Sequence, residues 1–256
     1  MLQKYHIGTS GWSYKHWKGQ FYPEGLKAAE YLKFYAAHFG VSELNTSFYH
    51  LPLAQTALNW ASAVPANFKF CPKLSRSITH YQKLLNSENS LKLFFEVFDP
   101  IRKKLGPVLV QLPHFVKFHP EKTENFYKVL RSTYKQHRFA LEAREAGWFS
   151  RESLDLMKRY HIALVISQSE RRFPFFEAIT AKDIYYRFHG PAGLYASDYT
   201  DTMLRNYASK FTEWIADKHH IWAFFNNDIG GYAYKNAMTL NGMMLNKSGI
   251  SRENPS

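Results

Sequence analysis

Short apolar runs, rich in β-branched and aromatic residues, alternate with amphipathic stretches from one end of the chain to the other. These runs lack the regular alternation of apolar and polar positions that a strand with one solvated face shows. Continuous apolar runs are typical of a parallel sheet whose two faces are both covered. Eight such runs predict strands, at residues 4–8, 41–45, 67–73, 107–112, 138–144, 162–167, 184–190 and 220–228.

Apolar residues at helical spacing mark the stretches between the predicted strands. In the first stretch, Leu32, Tyr35, Ala36 and Phe39 recur at i, i+3, i+4 and i+7, which places them on one face of a helix. Pro174 interrupts residues 170–181, so we expect an irregular connection there. Helices are predicted at residues 26–39, 121–135, 151–160, 203–217 and 230–245, with Ser150 as one N-cap and Thr202 or Asp201 as another.

Strict alternation of strands and helices predicts an α/β fold with a parallel sheet. Eight units fit a single (β/α)8 barrel of the TIM type, and the 256 residues are close to the ~250 that such a barrel takes. An open dinucleotide-binding sheet would show a glycine-rich turn after its first strand, and Gly8, Gly11 and Gly19 do not have that spacing. We predict one eight-stranded parallel barrel over residues 1–247 and a loose polar tail over residues 248–256.

Basic residues outnumber acidic ones, 33 to 21, which gives a formal charge of +12. Residues 101–138 supply much of this excess, since Glu121 and Glu124 are their only acidic residues. A positive field attracts anions such as nucleic acid and phosphorylated metabolites. The alternative is a solvated basic helix that only aids solubility.

The composition also bounds the setting in which the chain works. The N-terminal residues contain no apolar signal-peptide core, and no apolar run reaches the about 18 residues of a membrane span. We therefore expect a cytoplasmic protein without a membrane partner. The single cysteine, Cys71, excludes an intrachain disulfide and a multi-cysteine metal site. Oligomeric state is not indicated by the sequence.

Long motifs at both ends of the chain identify a family. The segment IGTSGWSYKHWKGQFYP, followed by LNTSFYHLP, resembles the start of the YecE-like proteins, also called domain of unknown function 72. Later segments agree with this resemblance, namely FKFCPKLSRSITH, PVLVQLP, LEAREAGWF, YYRFHGP and FFNNDIGGYAYKNAMTL. The resemblance covers nearly the whole chain. It implies a TIM-barrel fold and carries no activity with it.

The active site of a βα barrel is built from the C-terminal ends of the strands and from the loops that follow them. This rule selects candidates for catalysis, which are Glu43, Glu142, His189 and Asp228. It also selects candidates for ligand binding, which are Trp12, Tyr14, Asn45, Lys73, Gln111, Arg144, Trp148, Arg187, Asn227 and Tyr232. Charged side chains are rarely buried unless they are paired. The alternative to a ligand site is therefore a buried salt-bridge network, such as Glu43 with Lys73 and Glu142 with Arg187.

The preferred hypothesis is a site for a phosphate-bearing ligand, either a phosphorylated small molecule or a nucleic-acid phosphodiester. Arg144, Arg187 and Lys73 would hold the anion, because guanidinium groups match phosphate oxygens. His189 and a carboxylate would transfer protons, which would make the protein a hydrolase or a lyase. Aromatic side chains would stack on a base or sugar ring, and the candidates are Trp12, Tyr14 and Trp148.

Three alternatives remain at this point. The first is a non-catalytic nucleic-acid-binding protein that uses the basic region 101–138, in which Lys128, Arg131 and Lys135 are spaced to share one helix face. The second is a glycoside hydrolase, in which two carboxylates about 5–9.5 Å from each other flank the scissile bond. The candidates for that pair are Glu43, Glu142 and Asp228. No cofactor is predicted, but a single divalent metal ion is left open, with ligands from Glu43, Glu142, His189, Asp228 and His80.

Overall fold

The computed structural model describes residues 4–169 and 174–247. Within them, all eight predicted strands are present and parallel, which confirms the (β/α)8 barrel. The predicted tail, residues 248–256, lies outside the described residues. The strands are β1 (Tyr5–Thr9), β2 (Val41–Leu44), β3 (Lys69–Pro72), β4 (Val108–Gln111), β5 (Phe139–Glu142), β6 (Ile162–Gln168), β7 (Asp183–Phe188) and β8 (His220–Phe225).

The barrel is nearly closed between β3 and β4. The sheet order is β3-β2-β1-β8-β7-β6-β5-β4, so these two strands lie at its ends. Isolated bridges join Phe70 to Leu105 and Lys73 to Leu109, and Leu74 N donates to Leu109 O at 2.8 Å. The two edges therefore meet through a few hydrogen bonds rather than a full ladder.

Helices surround the barrel, and four of the five predicted helices are found close to their predicted bounds, whereas the first begins at Tyr31 after a 3-10 turn rather than at residue 26. Pro174 and the residues up to 181 form no helix, as predicted, while residues 170–173 lie outside the described part. No helix in the described part is both long and apolar enough to cross a membrane. The helices are α1 (Tyr31–His38), α2 (Thr46–Tyr49), α3 (Ala54–Ser62), α4 (Glu88–Phe98), α5 (Pro120–Thr133), α6 (Arg151–Arg159), α7 (Asp201–Ala216) and α8 (Tyr232–Lys247).

One of the two predicted N-caps is confirmed and the other is wrong. Ser150 caps α6, since its Oγ accepts from Ser153 N at 3.3 Å. The cap of α7 is Thr200, whose Oγ1 accepts from Met203 N at 3.3 Å, rather than Asp201 or Thr202. Thr200 has the extended backbone that an N-cap requires. Asp201 and Thr202 already lie within α7, which begins at Asp201.

The hydroxyl of Tyr35, on α1, is inserted between β1 and β2. Thr9 N donates to this hydroxyl at 3.0 Å, and the hydroxyl donates to Val41 O at 3.0 Å. The direct register of the two strands is correspondingly short, with the single pair Thr9–Ser42. A Cβ at Gly8 would collide with Val41 O, so the close approach of β1 to β2 requires glycine there.

The barrel interior changes from apolar to polar along the strands. One cluster of buried side chains fills its middle, formed by Val41, Cys71, Leu109, Ala140, Ala163, Val165, Tyr185, Trp222 and Phe224. Side chains two residues apart on a strand lie on the same face. Two positions further along, seven of the strands lead into polar side chains at their C-terminal ends, namely Glu43, Lys73, Gln111, Glu142, Ser167, Arg187 and Asn226. The sequence thus builds a polar layer on an apolar plug.

Candidate functional site

Arg187 joins two glutamates at the centre of the polar layer. Its Nε and Nη2 donate to the two carboxylate oxygens of Glu43 at 3.0 and 2.7 Å, and its Nη1 donates to Glu142. Ser10 Oγ and Tyr185 OH each donate to Glu43 at 2.8 Å. All three charged side chains are at most 2% exposed. The pair Glu142–Arg187 is thus present as the salt-bridge hypothesis expected.

Lys73 does not join this network through a carboxylate. Its Nζ donates to the side-chain oxygen of Gln111 at 2.8 Å and lies 4.0 Å from the centre of the Phe48 ring. The expected pair Glu43–Lys73 is therefore wrong, because Arg187 occupies both oxygens of Glu43. Burial and the charge of Arg187 lower the pKa of Lys73 to about 8.

Glu142 and His189 lie together beneath Arg144. The Nε and Nη2 of Arg144 are both 3.4 Å from Glu142 Oε1, and His189 Nε2 is 4.0 Å from the same oxygen. Burial raises the pKa of Glu142, but the charges of Arg187 and Arg144 outweigh burial and lower it to about 2. Burial and the charge of Arg187 lower the pKa of His189 to about 3. At neutral pH, Glu142 is therefore ionised and His189 is neutral.

A cavity of about 640 Å³ opens above this layer, at the C-terminal ends of the strands. Three cationic side chains and one carboxylate face it, together with histidine, amide and aromatic groups. Its lining consists of Tyr14, His16, Asn45, Phe48, Tyr49, Lys73, His80, Gln111, Arg144, Arg187, Tyr195, Asn226, Asp228 and Ile229. The arrangement suits an anionic ligand with an organic part that contacts the rings.

Asp228 and His16 form a pair at the edge of this cavity. His16 Nε2 lies 2.8 Å from Asp228 Oδ2, and Trp17 Nε1 donates to Asp228 Oδ1 at 2.7 Å. Burial raises the pKa of Asp228, and the hydrogen bond from Trp17 and the contact with His16 partly offset that rise. A carboxylate that holds an imidazole in a fixed orientation is an arrangement suited to proton transfer.

His80 reaches the cavity from an uncommon segment of helix. Residues Ser77–Tyr81 form one turn of π-helix. This conformation is rare in proteins overall, and where it occurs it is often at a functional site. His80 Nδ1 is 2.9 Å from Thr79 Oγ1, and its ring centre lies 5.0 Å from that of Phe48. Burial and the charge of Lys73 lower the pKa of His80.

The structure brings together ten of the fourteen residues that the strand-end rule selected. Seven of them line the cavity, namely Tyr14, Asn45, Lys73, Gln111, Arg144, Arg187 and Asp228. Three lie buried beneath its floor, namely Glu43, Glu142 and His189. Glu43 and Glu142 hold Arg187, and Glu142 also contacts Arg144, whereas His189 lies 4.0 Å from Glu142.

The two predicted tryptophans point away from the cavity. Trp12 packs against Trp60 with the ring centres 5.6 Å apart, so it lies on the outer side of the barrel wall. Trp148 is buried, and its Nε1 donates to Val116 O at 2.8 Å. It lines a separate cavity of about 250 Å³. The expectation that either ring stacks on the ligand of the main cavity is wrong, because the loops after β1 and β5 carry these side chains outward.

Asn227 and Tyr232 also lie outside the cavity lining. The amide of Asn227 donates to Ser197 O at 2.9 Å and to Asn236 Oδ1 at 2.8 Å. It thereby ties the end of β8 to α8. Tyr232 is the first residue of α8, and its ring covers Gly230. Both side chains position the last turn of the barrel instead of facing a ligand.

Seven lining residues were outside the fourteen catalytic and ligand-binding candidates, although His80 was considered as a metal ligand, namely His16, Phe48, Tyr49, His80, Tyr195, Asn226 and Ile229. Asn226 directly follows β8, and the strand-end rule does point to it. The others come from loops or short helices whose path over the barrel is not encoded in any local pattern. Separately, no group of three or more His, Cys, Asp and Glu side chains in residues 4–169 and 174–247 is arranged to hold a metal ion.

The basic side chains of α5 do not form the predicted exposed stripe. Lys128 lies 3.7 Å from Glu124 on the same helix, and Lys135 falls beyond the end of α5. Arg131 donates to three backbone carbonyl groups at 2.6–3.0 Å, those of Tyr160, His137 and His161. Because its guanidinium joins neighbouring segments, it is not available to bind phosphate groups of a nucleic acid.

The fold and the cavity define a class of protein: a TIM-type barrel whose strand ends carry a cationic cavity above a buried Glu–Arg–Glu network. Among proteins of that architecture, the chain belongs to the family described as "Protein of unknown function DUF72", which it matches over residues 6–256. The membership confirms the resemblance drawn from the motifs.

Individual relatives agree with this assignment. UPF0759 protein YunF of Bacillus subtilis (strain 168) is 26% identical over 266 residues, which cover 90% of this chain and 91% of the relative. UPF0759 protein YecE of Escherichia coli (strain K12) is 27% identical over 146 residues, 57% of this chain. The chain thus spans 50% of the length of that E. coli relative.

Solved structures match the whole barrel. A DUF72 family protein from Thermotoga maritima superposes with a TM-score of 0.81 at 27% identity, covering 94% of this chain and 99% of the other. A DUF72 family protein from Enterococcus faecalis gives the same TM-score at 23% identity and covers 98% of both chains. Both likenesses support the barrel architecture.

Proposed function

We propose that the cavity binds a phosphate-bearing ligand, with the phosphate group between Arg144 and Lys73. The observation that carries this proposal is the composition of the lining, where three cations and one carboxylate, Asp228, are found among the described residues. Arg187 is neutralised from below by two glutamates. Lys73, by contrast, bonds to a neutral amide. The cavity therefore presents the side chains of Arg144 and Lys73 as the cationic groups that a phosphate group would contact.

Arg144 is the best-placed group for the phosphate. Its side chain is 21% exposed, and its contacts to Glu142 are long, at 3.4 Å. A guanidinium presents paired donors that match two phosphate oxygens. Glu142 would hold the guanidinium in place from below. The organic part of the ligand would then lie against Tyr14 and Phe48, which line the same cavity.

Proton transfer in this proposal falls to His16 with Asp228. Both face the cavity, and Trp17 fixes the carboxylate. His189 is enclosed, and its pKa of about 3 leaves it without a proton to donate at neutral pH. The reaction class that follows is acid–base cleavage of the ligand, by a hydrolase or a lyase.

The geometry favours this function over the two alternatives. A glycoside hydrolase needs two carboxylates at the scissile bond, and Asp228 is the one carboxylate among the described lining residues. Nucleic-acid binding by α5 is disfavoured because Arg131, the middle residue of the expected basic stripe, donates to backbone carbonyl groups. A nucleic-acid phosphodiester that enters the cavity is still a ligand of the proposed kind.

Calorimetric titration with glycerol 3-phosphate and with glycerol tests the proposal. We expect binding of the ester alone, and a loss of about tenfold or more in affinity for Arg144→Met, because hydrogen bonds to charged groups contribute about 1.5–3 kcal/mol. The matched control is Arg151→Met, whose side chain is 97% exposed on α6 and should leave the affinity unchanged. Equal binding of ester and glycerol, or equal losses in both variants, would refute the proposal.

A further inference from the structure

Lys73 is an unusual lysine in its surroundings. It follows the end of β3, is 9% exposed, and its Nζ contacts the Gln111 oxygen at 2.8 Å and the Phe48 ring at 4.0 Å. Lysines are almost never buried without a charged partner. Within the described residues, no carboxylate lies within ion-pair distance of this amine. Arg187 already neutralises the two buried glutamates, so the salt-bridge network does not need Lys73.

The electrostatic setting makes the Lys73 amine easier to deprotonate than the amine of an exposed lysine. Burial and the neighbouring Arg187 both disfavour the ammonium form, and Arg144 adds to the effect, so the pKa of Lys73 falls to about 8. A desolvated lysine beside another cation is activated as a nucleophile, because a useful fraction of it is neutral near physiological pH. Gln111 fixes the amine through a single accepted hydrogen bond.

We propose that Lys73 is a nucleophile that forms an imine with an aldehyde or ketone that also carries a phosphate group. The inference rests on the proposed function for the phosphate, which Arg144 would hold, and adds the chemical class of the reacting group. It places the carbonyl carbon of the ligand over Lys73 Nζ on the floor of the cavity. A carbonyl compound with one phosphate would then satisfy both features of the lining.

The chemistry balances without a cofactor. The neutral amine attacks the carbonyl carbon, the C–N bond forms, and the carbonyl oxygen takes a proton to give a carbinolamine. A second proton goes to the hydroxyl group of the carbinolamine, which leaves as water while the C=N bond forms. By then the amine nitrogen has lost both of its protons. Protonation of the imine nitrogen then yields an iminium ion, which withdraws electrons from the adjacent carbon.

Reductive trapping tests the inference on the wild-type protein. Glycolaldehyde phosphate and uncharged glycolaldehyde are each added with sodium cyanoborohydride, which converts an imine into a stable secondary amine. Peptide mapping by mass spectrometry then locates the adduct. We expect modification of Lys73 to be at least about tenfold faster than that of exposed lysines, whose pKa lies near 10.4. The rate should rise with pH through about 8 and then level off, as Lys73 loses its proton.

Two substitutions provide matched controls. Lys73→Arg should abolish the fast adduct. Lys69→Arg should leave it unchanged, although Lys69 lies on the same strand, has a lowered pKa and bonds to Lys103 O. Adducts spread over surface lysines, with Lys73 no faster than the rest, would overturn the inference. Because the wild-type peptide map answers this directly, a variant that fails to fold does not obscure the result.

The two probes separate this inference from the proposed function. Faster labelling of Lys73 by the phosphorylated probe, lost in Arg144→Met, supports both. Equal labelling of Lys73 by both probes supports the imine and contradicts the phosphate site. Binding of the phosphorylated probe without labelling of Lys73 contradicts the imine and leaves the phosphate site standing.

Discussion

At the scale of single residues, one buried arginine neutralises two glutamates that have no contact with solvent. Glu43 and Glu142 are fully buried, and Arg187 bonds to both. Removing one partner of such a pair leaves an uncompensated buried charge, which is far more costly than the net gain from the pair. The network is therefore a structural requirement for the cavity floor as well as a support for Arg144.

We expect Arg187→Met to lower the free energy of unfolding by about 3–5 kcal/mol, because two buried carboxylates lose their counter-charge. Urea denaturation followed by circular dichroism measures this change. Adding Glu43→Gln and Glu142→Gln to the same variant should recover a large part of the loss. An unfolding midpoint unchanged by Arg187→Met alone would show that the glutamates do not depend on the arginine.

Acid should destabilise the protein in a defined pH window. The pKa of His189 is lowered from 6.5 to about 3. As the pH falls below 6.5, this imidazole is protonated in the unfolded chain before it is protonated in the folded protein, so the folded protein becomes less stable. The pKa of Glu142 is lowered to about 2 from 4.5, so its stabilising charge is present above pH 4.5 and is lost below it. Each such proton reduces the free energy of unfolding by about 1.4 kcal/mol per pH unit.

Urea denaturation at successive pH values tests both residues. His189→Asn should flatten the dependence between pH 6.5 and about 3, and Glu142→Gln should flatten it between pH 4.5 and about 2. His6, which is half-buried on β1 and stacks on Trp222, also has a pKa lowered to about 3, so only the difference between wild type and variant isolates His189. Parallel curves for wild type and His189→Asn would contradict the assignment.

At the scale of elements, the strands were predictable and several helices were not. Each strand is an apolar run bounded by polar or turn residues, and this signal survives without tertiary information. Helix α2 has only four residues, too few for a helical period to show. The N-cap of α7 was misassigned because Thr200, Asp201 and Thr202 are adjacent and any of them can cap a helix. No sequence signal distinguishes the π-helical turn that carries His80.

Tyr35 links α1 to the seam between β1 and β2. Tyr35→Phe would leave Thr9 N and Val41 O without this hydrogen-bond partner, so we expect a loss of about 1–3 kcal/mol in the free energy of unfolding. Tyr31→Phe is the matched control, since the buried Tyr31 ring stacks on Tyr22 and no hydrogen bond of its hydroxyl is described. Thermal unfolding should show a lower midpoint for Tyr35→Phe only. Equal midpoints would indicate that β1 and β2 pair without the hydroxyl.

At the scale of the whole molecule, the barrel rule predicted where the site lies better than what faces it. Strand-end residues such as Lys73 and Arg187 meet because parallel strands bring their C-terminal ends to one face. Trp148 was misplaced and His16 was missed because their positions depend on how loops cross that face, which is a property of the assembled barrel. The charge of +12 was likewise a poor guide to a nucleic-acid-binding surface. Arg131, which was expected to bind phosphate groups there, donates to backbone carbonyl groups.

A crystal structure of the protein grown with glycerol 3-phosphate tests the central claim most directly, because it locates the phosphate group without assuming a reaction. The account predicts the phosphate in the cavity, with an oxygen about 2.7–2.9 Å from a guanidinium nitrogen of Arg144 and the Lys73 amine on the same side. An empty cavity at saturating ester, or an ester bound only on the surface of residues 101–138, would contradict it.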